Sequence, residues 1–264
     1  MWALVRAVTA AFDGLIGLFG AFHPLVGLLV VSVLTGAVML VIFRYTSNQK
    51  GIARAKDHIM AHILEVRLFQ DDLRLQLASQ RKILAANLRY MRYALAPMIV
   101  MLIPVLVILI QLDVRYARRP FLPGETTVLR AEVAEGTDLA SVRLELPAGV
   151  ALETEALRVP DRSEVDWRLR VEREGAHEIA VEAGGERAIK RLEAGPRLVK
   201  LADERKPGGL LGVWENPAES PLPRDSRFRS IAIDYPDRDL RLFGFGAHWL
   251  VVFFVVSVLF GFAI

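Results

Sequence analysis

The chain has 264 residues, of which 53% are hydrophobic and 24% are charged, and its net charge is +3. This length accommodates one or two soluble domains, but so high a proportion of both classes requires that apolar and charged residues be segregated along the chain. The absence of cysteine excludes disulfide scaffolds, thiol nucleophiles, cysteine-based zinc sites and iron–sulfur clusters.

Residues 1–24 carry apolar side chains at helical spacing, with Arg6, Thr9 and Asp13 off the apolar side. This pattern predicts an amphipathic helix that lies in the membrane interface at the outer leaflet. His23-Pro24 ends it, because proline is tolerated only near the start of a helix. The alternative is a signal peptide, but this segment has a single arginine and no clear small-x-small cleavage site.

Three windows contain no Asp, Glu, Lys or Arg: residues 25–43, 94–112 and 247–264, of 19, 19 and 18 residues. Because about 20 apolar residues cross a hydrocarbon core of roughly 30 Å, each window predicts a transmembrane helix. Pro97 and Pro104 lie in the second window, and each can kink the helix.

The distribution of charge predicts the membrane topology. Residues 44–93 hold ten basic and four acidic residues, a net charge of +6. Short loops rich in Lys and Arg stay in the cytoplasm, so we expect the N-terminus and residues 113–246 to lie outside and the C-terminus inside. The 27 arginines against 6 lysines indicate a GC-rich genome, and we predict a prokaryotic cytoplasmic (inner) membrane.

Residues 44–93 contain no proline and a single glycine, Gly51, and their composition favours helix. Since the chain must return to the membrane, we predict a basic antiparallel coiled-coil hairpin that turns at Asp71-Asp72, with Ser79-Gln80 as the second choice. The predicted seam follows a heptad-like spacing. Its members are Ile59, Ile63, Val66, Gln70, Leu73, Leu77, Gln80, Leu84, Asn87 and Met91.

From residue 126 onward, short segments alternate apolar and polar residues between turns that contain Gly, Pro and Asp. This pattern predicts a β-sandwich-like domain over residues 113–194, with Trp167 as its core anchor and turns at sites such as Gly184-Gly185. Residues 195–246 are rich in Pro, Gly and charge, and predict an extended connector with one strand, at 230–235. The expected fold class is an α-helical membrane protein with an extracytoplasmic all-β domain.

The sequence contains only weak candidates for metal-binding or catalytic motifs. His58 and His62 have the i, i+4 spacing of a metal site, but no third ligand is fixed, and a solvated basic helix is the favoured interpretation. We see no phosphate loop and no nucleophile–base pair, and therefore predict no enzymatic activity and no cofactor. The basic hairpin can attract anionic lipid or the ribosome, and we expect no specific nucleic-acid partner.

Two sets of residues are candidates for contact with other proteins. Methionine gives adaptable apolar surfaces suited to varied clients, but lipid-facing filler is the favoured interpretation. Five of the six methionines lie in the first two predicted spans and the hairpin: Met39, Met60, Met91, Met98 and Met101. The polar side chains at predicted membrane depth are Ser32, Thr35, Gln111 and Ser257.

This layout resembles the YidC/Oxa insertase superfamily, particularly its minimal three-span members, the archaeal YidC-like proteins and the relatives of the endoplasmic-reticulum insertases. LFGAFHPLVGLLVVSVLTGAVMLVIFRYTSNQK looks like the amphipathic helix, the first span and the entry into the cytoplasmic arm. LRYMRYALAPMIVMLIPVLV and HWLVVFFVVSVLFGF look like the second and closing spans. The resemblance covers residues 1–112 and 247–264.

The resemblance implies an insertion and assembly factor, with chaperone-like function in protein transport, whose spans form a partly hydrophilic groove for client transmembrane segments. Its groove candidates here are Ser32, Thr35, Arg44, Met98, Met101 and Ser257. The chain departs from the bacterial pattern because its first span has no arginine before Arg44, and because a β-rich segment stands where YidC has a helical hairpin.

Two other functions remain open. One is a non-catalytic membrane scaffold whose outer β domain binds a partner protein, and the other is a channel or transporter subunit. Intramembrane acids or bases, which pumps and proton-coupled transporters usually carry, are absent from the three windows.

Overall fold

The computed structural model describes residues 2–19, 23–68, 73–209, 217–242 and 245–263. These residues form two compact units. The first comprises residues 1–31 and 107–254, and the second comprises residues 32–106 and 255–264.

The described residues form five α-helices. They are α1 (Trp2–Gly17), α2 (Pro24–Thr46), α3 (Gln49–Leu68), α4 (Leu73–Tyr116) and α5 (Trp249–Ala263). A new helix begins at Pro24, the first helical position that proline favours, but α1 ends at Gly17, before the predicted break at His23-Pro24. By length and composition, two of these helices are able to cross a membrane: α2, and residues Leu77–Tyr116 of α4.

The long helix α4 combines two elements that we predicted as separate, the second half of the arm and the second apolar window. It continues without interruption from the predicted arm through the window 94–112, and Pro97 and Pro104 lie inside it. The second choice of turn, Ser79-Gln80, is wrong because both residues are helical within α4. The preferred turn at Asp71-Asp72 lies outside the described residues.

Helices α3 and α4 form an antiparallel hairpin. Lys82 Nζ lies 3.3 Å from Glu65 Oε1, and Lys56 Nζ lies 5.9 Å from the centre of the Tyr90 ring. Positions further along α4 thus contact positions nearer the start of α3, as in an antiparallel pair. The start of α3 is fixed by Asn48, whose side-chain oxygen accepts a hydrogen bond of 2.8 Å from Gly51 N, as an N-cap residue does.

The helix α5 is shorter than the predicted third window. Its 15 residues rise about 22 Å, less than the roughly 30 Å of a hydrocarbon core. Residue 264 lies outside the described residues.

The described residues of the first unit also form eleven β-strands. They are β1 (Thr126–Val133), β2 (Arg143–Glu145), β3 (Val150–Leu152), β4 (Leu157–Val159), β5 (Glu164–Val171), β6 (Gly175–Ala183), β7 (Glu186–Ala194), β8 (Glu204–Arg205), β9 (Phe228–Ile233), β10 (Leu240–Leu242) and β11 (Phe245–Ala247). The pairings are antiparallel.

Two antiparallel sheets share one hydrophobic core. The first has the order β3-β5-β1-β9-β8, with β4 also paired to β5, and the second has the order β2-β6-β7. Buried and less buried residues alternate along β1 and β5, as in a strand with one face on a core. Trp167, on β5, is 3% exposed among these core residues, which confirms its predicted place.

The segment 195–246 is more than a connector. The predicted strand at 230–235 exists as β9, and it lies inside the first sheet, paired to both β1 and β8. Phe228, Ile231 and Ile233 are fully buried. The core of the β domain therefore includes residues that we predicted to belong to the extended connector. The turn at Gly184-Gly185 is confirmed, with φ angles of 56° and 84° that favour glycine.

Candidate functional site

The inner face of the hairpin is built from small residues. Gly51 and Ala55 on α3 and Ser79 and Ala86 on α4 are buried. Ser79 and Ala86 are seven residues apart and share a face of α4 with Tyr90, the residue that meets Lys56. Small side chains allow two helices to approach closely, so this face is the seam of the hairpin.

The predicted seam is therefore wrong on α4, whereas on α3 its members Ile59 and Val66 are half-buried. Several of the large apolar residues assigned to it point outward: Ile63, Leu77, Leu84 and Met91 are exposed. The prediction failed because it paired the largest apolar residues, whereas the hairpin closes on glycine, alanine and serine. Asn87 is exposed as well, and Gln70 lies outside the described residues.

The outward residues of α4 form one continuous apolar stripe, hereafter the α4 stripe. Its members follow a spacing of seven, four and three residues, which keeps them on one side of a helix. They are Leu77, Leu84, Leu88, Met91, Leu95, Met98, Leu102 and Leu106, and all are exposed. Leu84 is 63% exposed and Met98 is 61% exposed. The stripe thus extends from the arm into the window 94–112.

Three of the predicted groove residues lie where helices pack against each other. Ser257 Oγ, on α5, donates a hydrogen bond of 3.0 Å to the Ser32 carbonyl on α2. One turn along α2, a Cβ on Gly36 would lie only 2.8 Å from the Ser257 carbonyl oxygen. Ser32 and Thr35 are buried. Small residues four apart let helices approach in membranes, so these serines join α2 to α5.

The other groove candidates lie elsewhere. Arg44 is exposed in the last turn of α2, Met98 belongs to the α4 stripe, and Met101 is half-buried on α4. Of the six candidates, Ser32 and Ser257 are brought together by a hydrogen bond. A groove lined by all six stays a prediction.

The histidine pair does not carry a metal site among the described residues. His62 Nδ1 lies 3.0 Å from Glu65 Oε2, and Glu65 also pairs with Lys82 across the hairpin, while His58 is exposed. No three His, Asp or Glu side chains of the described ranges are grouped so as to hold an ion.

A polar ladder in the first unit, hereafter the buried polar ladder, joins α1 to the end of α4. Thr9, Gln111 and Arg115 are buried, and the side chain of Asp13 is 42% exposed. Gln111 Nε2 donates to Thr9 Oγ1 at 3.1 Å, and Arg115 Nη2 donates to Asp13 Oδ1 at 2.5 Å. Each helix contributes two residues that are four apart, so the two contacts follow one another in the same direction along α1 and α4. The side chain of Arg115 is 3% exposed, and its other nitrogen donates to the carbonyl and the side-chain oxygen of Gln111.

Asp13 also receives a hydrogen bond of 2.7 Å from Lys200 Nζ. Burial opposes ionisation of this carboxyl, but the hydrogen bonds from Lys200 and Arg115 outweigh it and hold the pKa of Asp13 below 3.8. The carboxylate is therefore charged at neutral pH. The residues that the sequence placed on the polar side of α1, Thr9 and Asp13, are the ones that hold α1 in place.

The sequence pattern does not single out Arg115, because this residue follows the apolar window and resembles an ordinary flanking charge. The sequence does contain a signal in the matched i, i+4 pairs Thr9/Asp13 and Gln111/Arg115, which present complementary polar groups within two mainly apolar segments. A cavity of about 350 Å³ adjoins this ladder, lined in part by Asp13, Arg115 and Lys200.

The same cavity reaches a buried ion pair of the β domain. Lys190, on β7, is fully buried, and its Nζ lies 2.5 Å from Glu219 Oε2 and 2.6 Å from the Ala202 carbonyl. Burial lowers the pKa of Lys190, while the charge of Glu219 opposes that change. Glu219 also accepts a hydrogen bond from Arg191 N. This pair fastens the segment around residue 219 to the sheet.

No protein-family model matches the chain, and no curated protein matches it either. A functional assignment therefore depends on the residues and their geometry.

Proposed function

We propose that this protein is a membrane protein insertion and assembly factor of the YidC/Oxa type, which guides apolar helices of client proteins into the bilayer. The observation that supports it is the α4 stripe. A single helix carries exposed apolar side chains from a basic arm into an apolar window, with no change of face. A client helix bound along this stripe would keep its apolar side covered while it moves from the arm toward the bilayer.

The proposal includes an integral membrane topology with three spans. In α4, only 6% of the most apolar window is buried by the protein itself, so lipid or client is needed to cover the rest. The third span would be α5 with its flanking residues. The basic arm would face the cytoplasm of a prokaryotic inner membrane, and the β domain would lie outside.

The buried polar ladder and the α2–α5 packing have supporting roles in this proposal. They hold α1, α2 and α5 through hydrogen bonds and close contact. The α4 stripe stays exposed, as do large apolar side chains of α2 and α5 such as Val41 and Leu259. Clients of the insertase are therefore expected at Leu88 and Met98. Thr35 is a poor place to look for them because it is buried.

Site-specific photocrosslinking tests the proposal. A photoreactive residue at Leu88 or Met98 should capture a nascent single-span membrane protein. The matched control is Lys82, which is exposed on α4 but turned away from the stripe. Capture of lipid alone at Leu88 and Met98 contradicts the proposal.

Depletion separates the three functional classes. An insertion factor predicts that short-tailed membrane proteins fail to insert. A scaffold whose outer β domain binds a partner predicts loss of one complex with insertion intact, and a channel or transporter subunit predicts a solute phenotype.

A further inference from the structure

The two sides of the α4 stripe differ in charge. At 100° per residue, Arg81 and Arg92 lie about 50–70° from the centre of the stripe on one side, and both are exposed. On the other side stand two neutral amides, Gln80 and Asn87, which are also exposed. A helix bound on the stripe would therefore meet positive charge along one edge of its arm-side half.

The length of the uninterrupted apolar part indicates what it can cover. From Leu84 to Leu106 the stripe rises about 33 Å. This matches one transmembrane helix of about 20 apolar residues. Lipid alone would not account for the stripe, because Leu84, Leu88 and Met91 precede the apolar window that begins at residue 94.

A second copy of the chain fits this surface poorly. Two copies inserted in the same membrane with the same topology would align their stripes in parallel. The arginine edge of one copy would then lie beside the amide edge of the other, as e and g positions do in a parallel pair, so Arg81 would meet no acidic group, and two arms of charge +6 would repel each other. A partner with acidic residues at this level is favoured instead.

We propose that the α4 stripe selects apolar helices of transmembrane length whose arm-side flank carries Asp or Glu, with Arg81 and Arg92 as the residues that recognise this charge. The proposal rests on the proposed function and names its substrate class. Segments with an acidic cytoplasmic flank lack the positive charge that normally fixes orientation in the membrane. The arginines of the arm supply that charge from outside the client.

The experiment compares three clients with one apolar segment of 20 leucines and alanines. Their arm-side flanks carry two Glu, two Gln or two Lys residues. Crosslinking from a photoreactive residue at Leu88 is measured in the full-length protein and in the charge-reversal variant Arg81→Glu/Arg92→Glu. The matched control is Arg89→Glu, a single charge reversal at an exposed position about 130° from the centre of the stripe, and it is compared with the single variants Arg81→Glu and Arg92→Glu.

The Glu client should be captured about threefold to tenfold more than the Lys client, the effect of one or two exposed ion pairs. The order should reverse in the double variant and stay unchanged in Arg89→Glu. Equal capture of all three clients would overturn the charge selection while the proposed function stands. Capture of lipid or of a second copy, with no client, would overturn both.

Discussion

The docking of α1 provides a quantitative test of the buried polar ladder. Replacing Asp13 by Asn keeps the shape of the side chain and removes the charge that Arg115 and Lys200 share. A hydrogen bond to a charged partner contributes about 1.5–3 kcal/mol, and a partly exposed ion pair such as Asp13–Lys200 adds about 0–1 kcal/mol. Arg115 keeps its contacts with Gln111 at 2.6 and 3.0 Å, so its charge is not left unpaired.

We therefore expect Asp13→Asn to weaken the docking of α1 by about 2–3 kcal/mol, which raises its opening equilibrium about 30- to 150-fold. Hydrogen exchange measured by mass spectrometry on the full-length protein would show this as faster exchange in peptides from Trp2–Gly17. Peptides from β5, in the core of the β domain, are the internal reference. Arg6→Gln is the matched control, because Arg6 is an exposed charge on the same helix.

The result also has a defined pH dependence. Because the folded pKa of Asp13 lies below its ordinary value of 3.8, the charge stabilises the docked helix fully above that value. The contribution is lost as the pH falls through the folded pKa. The difference between Asp13→Asn and the native chain should thus be constant from pH 5 to pH 8. If Asp13→Asn exchanges no faster than Arg6→Gln, the ladder does not hold α1.

Three further variants test contacts within each unit taken by itself. Glu219→Gln should destabilise the β domain by about 1–3 kcal/mol in thermal unfolding, because it leaves the fully buried Lys190 without its charged partner. Adding Lys190→Met should recover most of this loss. If stability does not recover, the charge of Lys190 is not the cause. Trp167→Ala should cost about 3–5 kcal/mol and lower the melting temperature, since it opens a cavity in the shared core; a change below 1 kcal/mol would contradict its place there. Gly36→Leu should separate α2 from α5 and lower the melting temperature of the detergent-solubilised protein, whereas Gly14→Leu, with open space around its Cβ, should not. Equal melting temperatures of the two variants would refute the close contact.

The difference between local and long-range interactions explains which predictions from the sequence succeeded. The helix start at Pro24, the turn at Gly184-Gly185 and the place of Trp167 follow from backbone preferences and from alternation along one strand. Such features depend on neighbours within a few residues. A single sequence specifies them because the competing conformations are excluded locally.

The hairpin and the β domain show the limit of that information. Heptad spacing fits both the apolar stripe and the row of small residues on α4, and spacing alone does not tell which of them faces α3. Likewise, β9 is an isolated strand pattern in a Pro- and Gly-rich segment, and its place between β1 and β8 depends on pairing over about 100 residues. Tertiary contact resolves both ambiguities.

The sequence by itself determined the segregation of apolar and charged residues, the helical arm and the alternating strands, because each is a property of residue order and periodicity. Tertiary structure decided which face of each helix is covered. It turned Thr9 and Asp13 toward Gln111 and Arg115, buried Ser32 against α5, and left the α4 stripe exposed. The physical reason is that burial depends on which partner surface is available, and the partner lies up to 225 residues away in the chain.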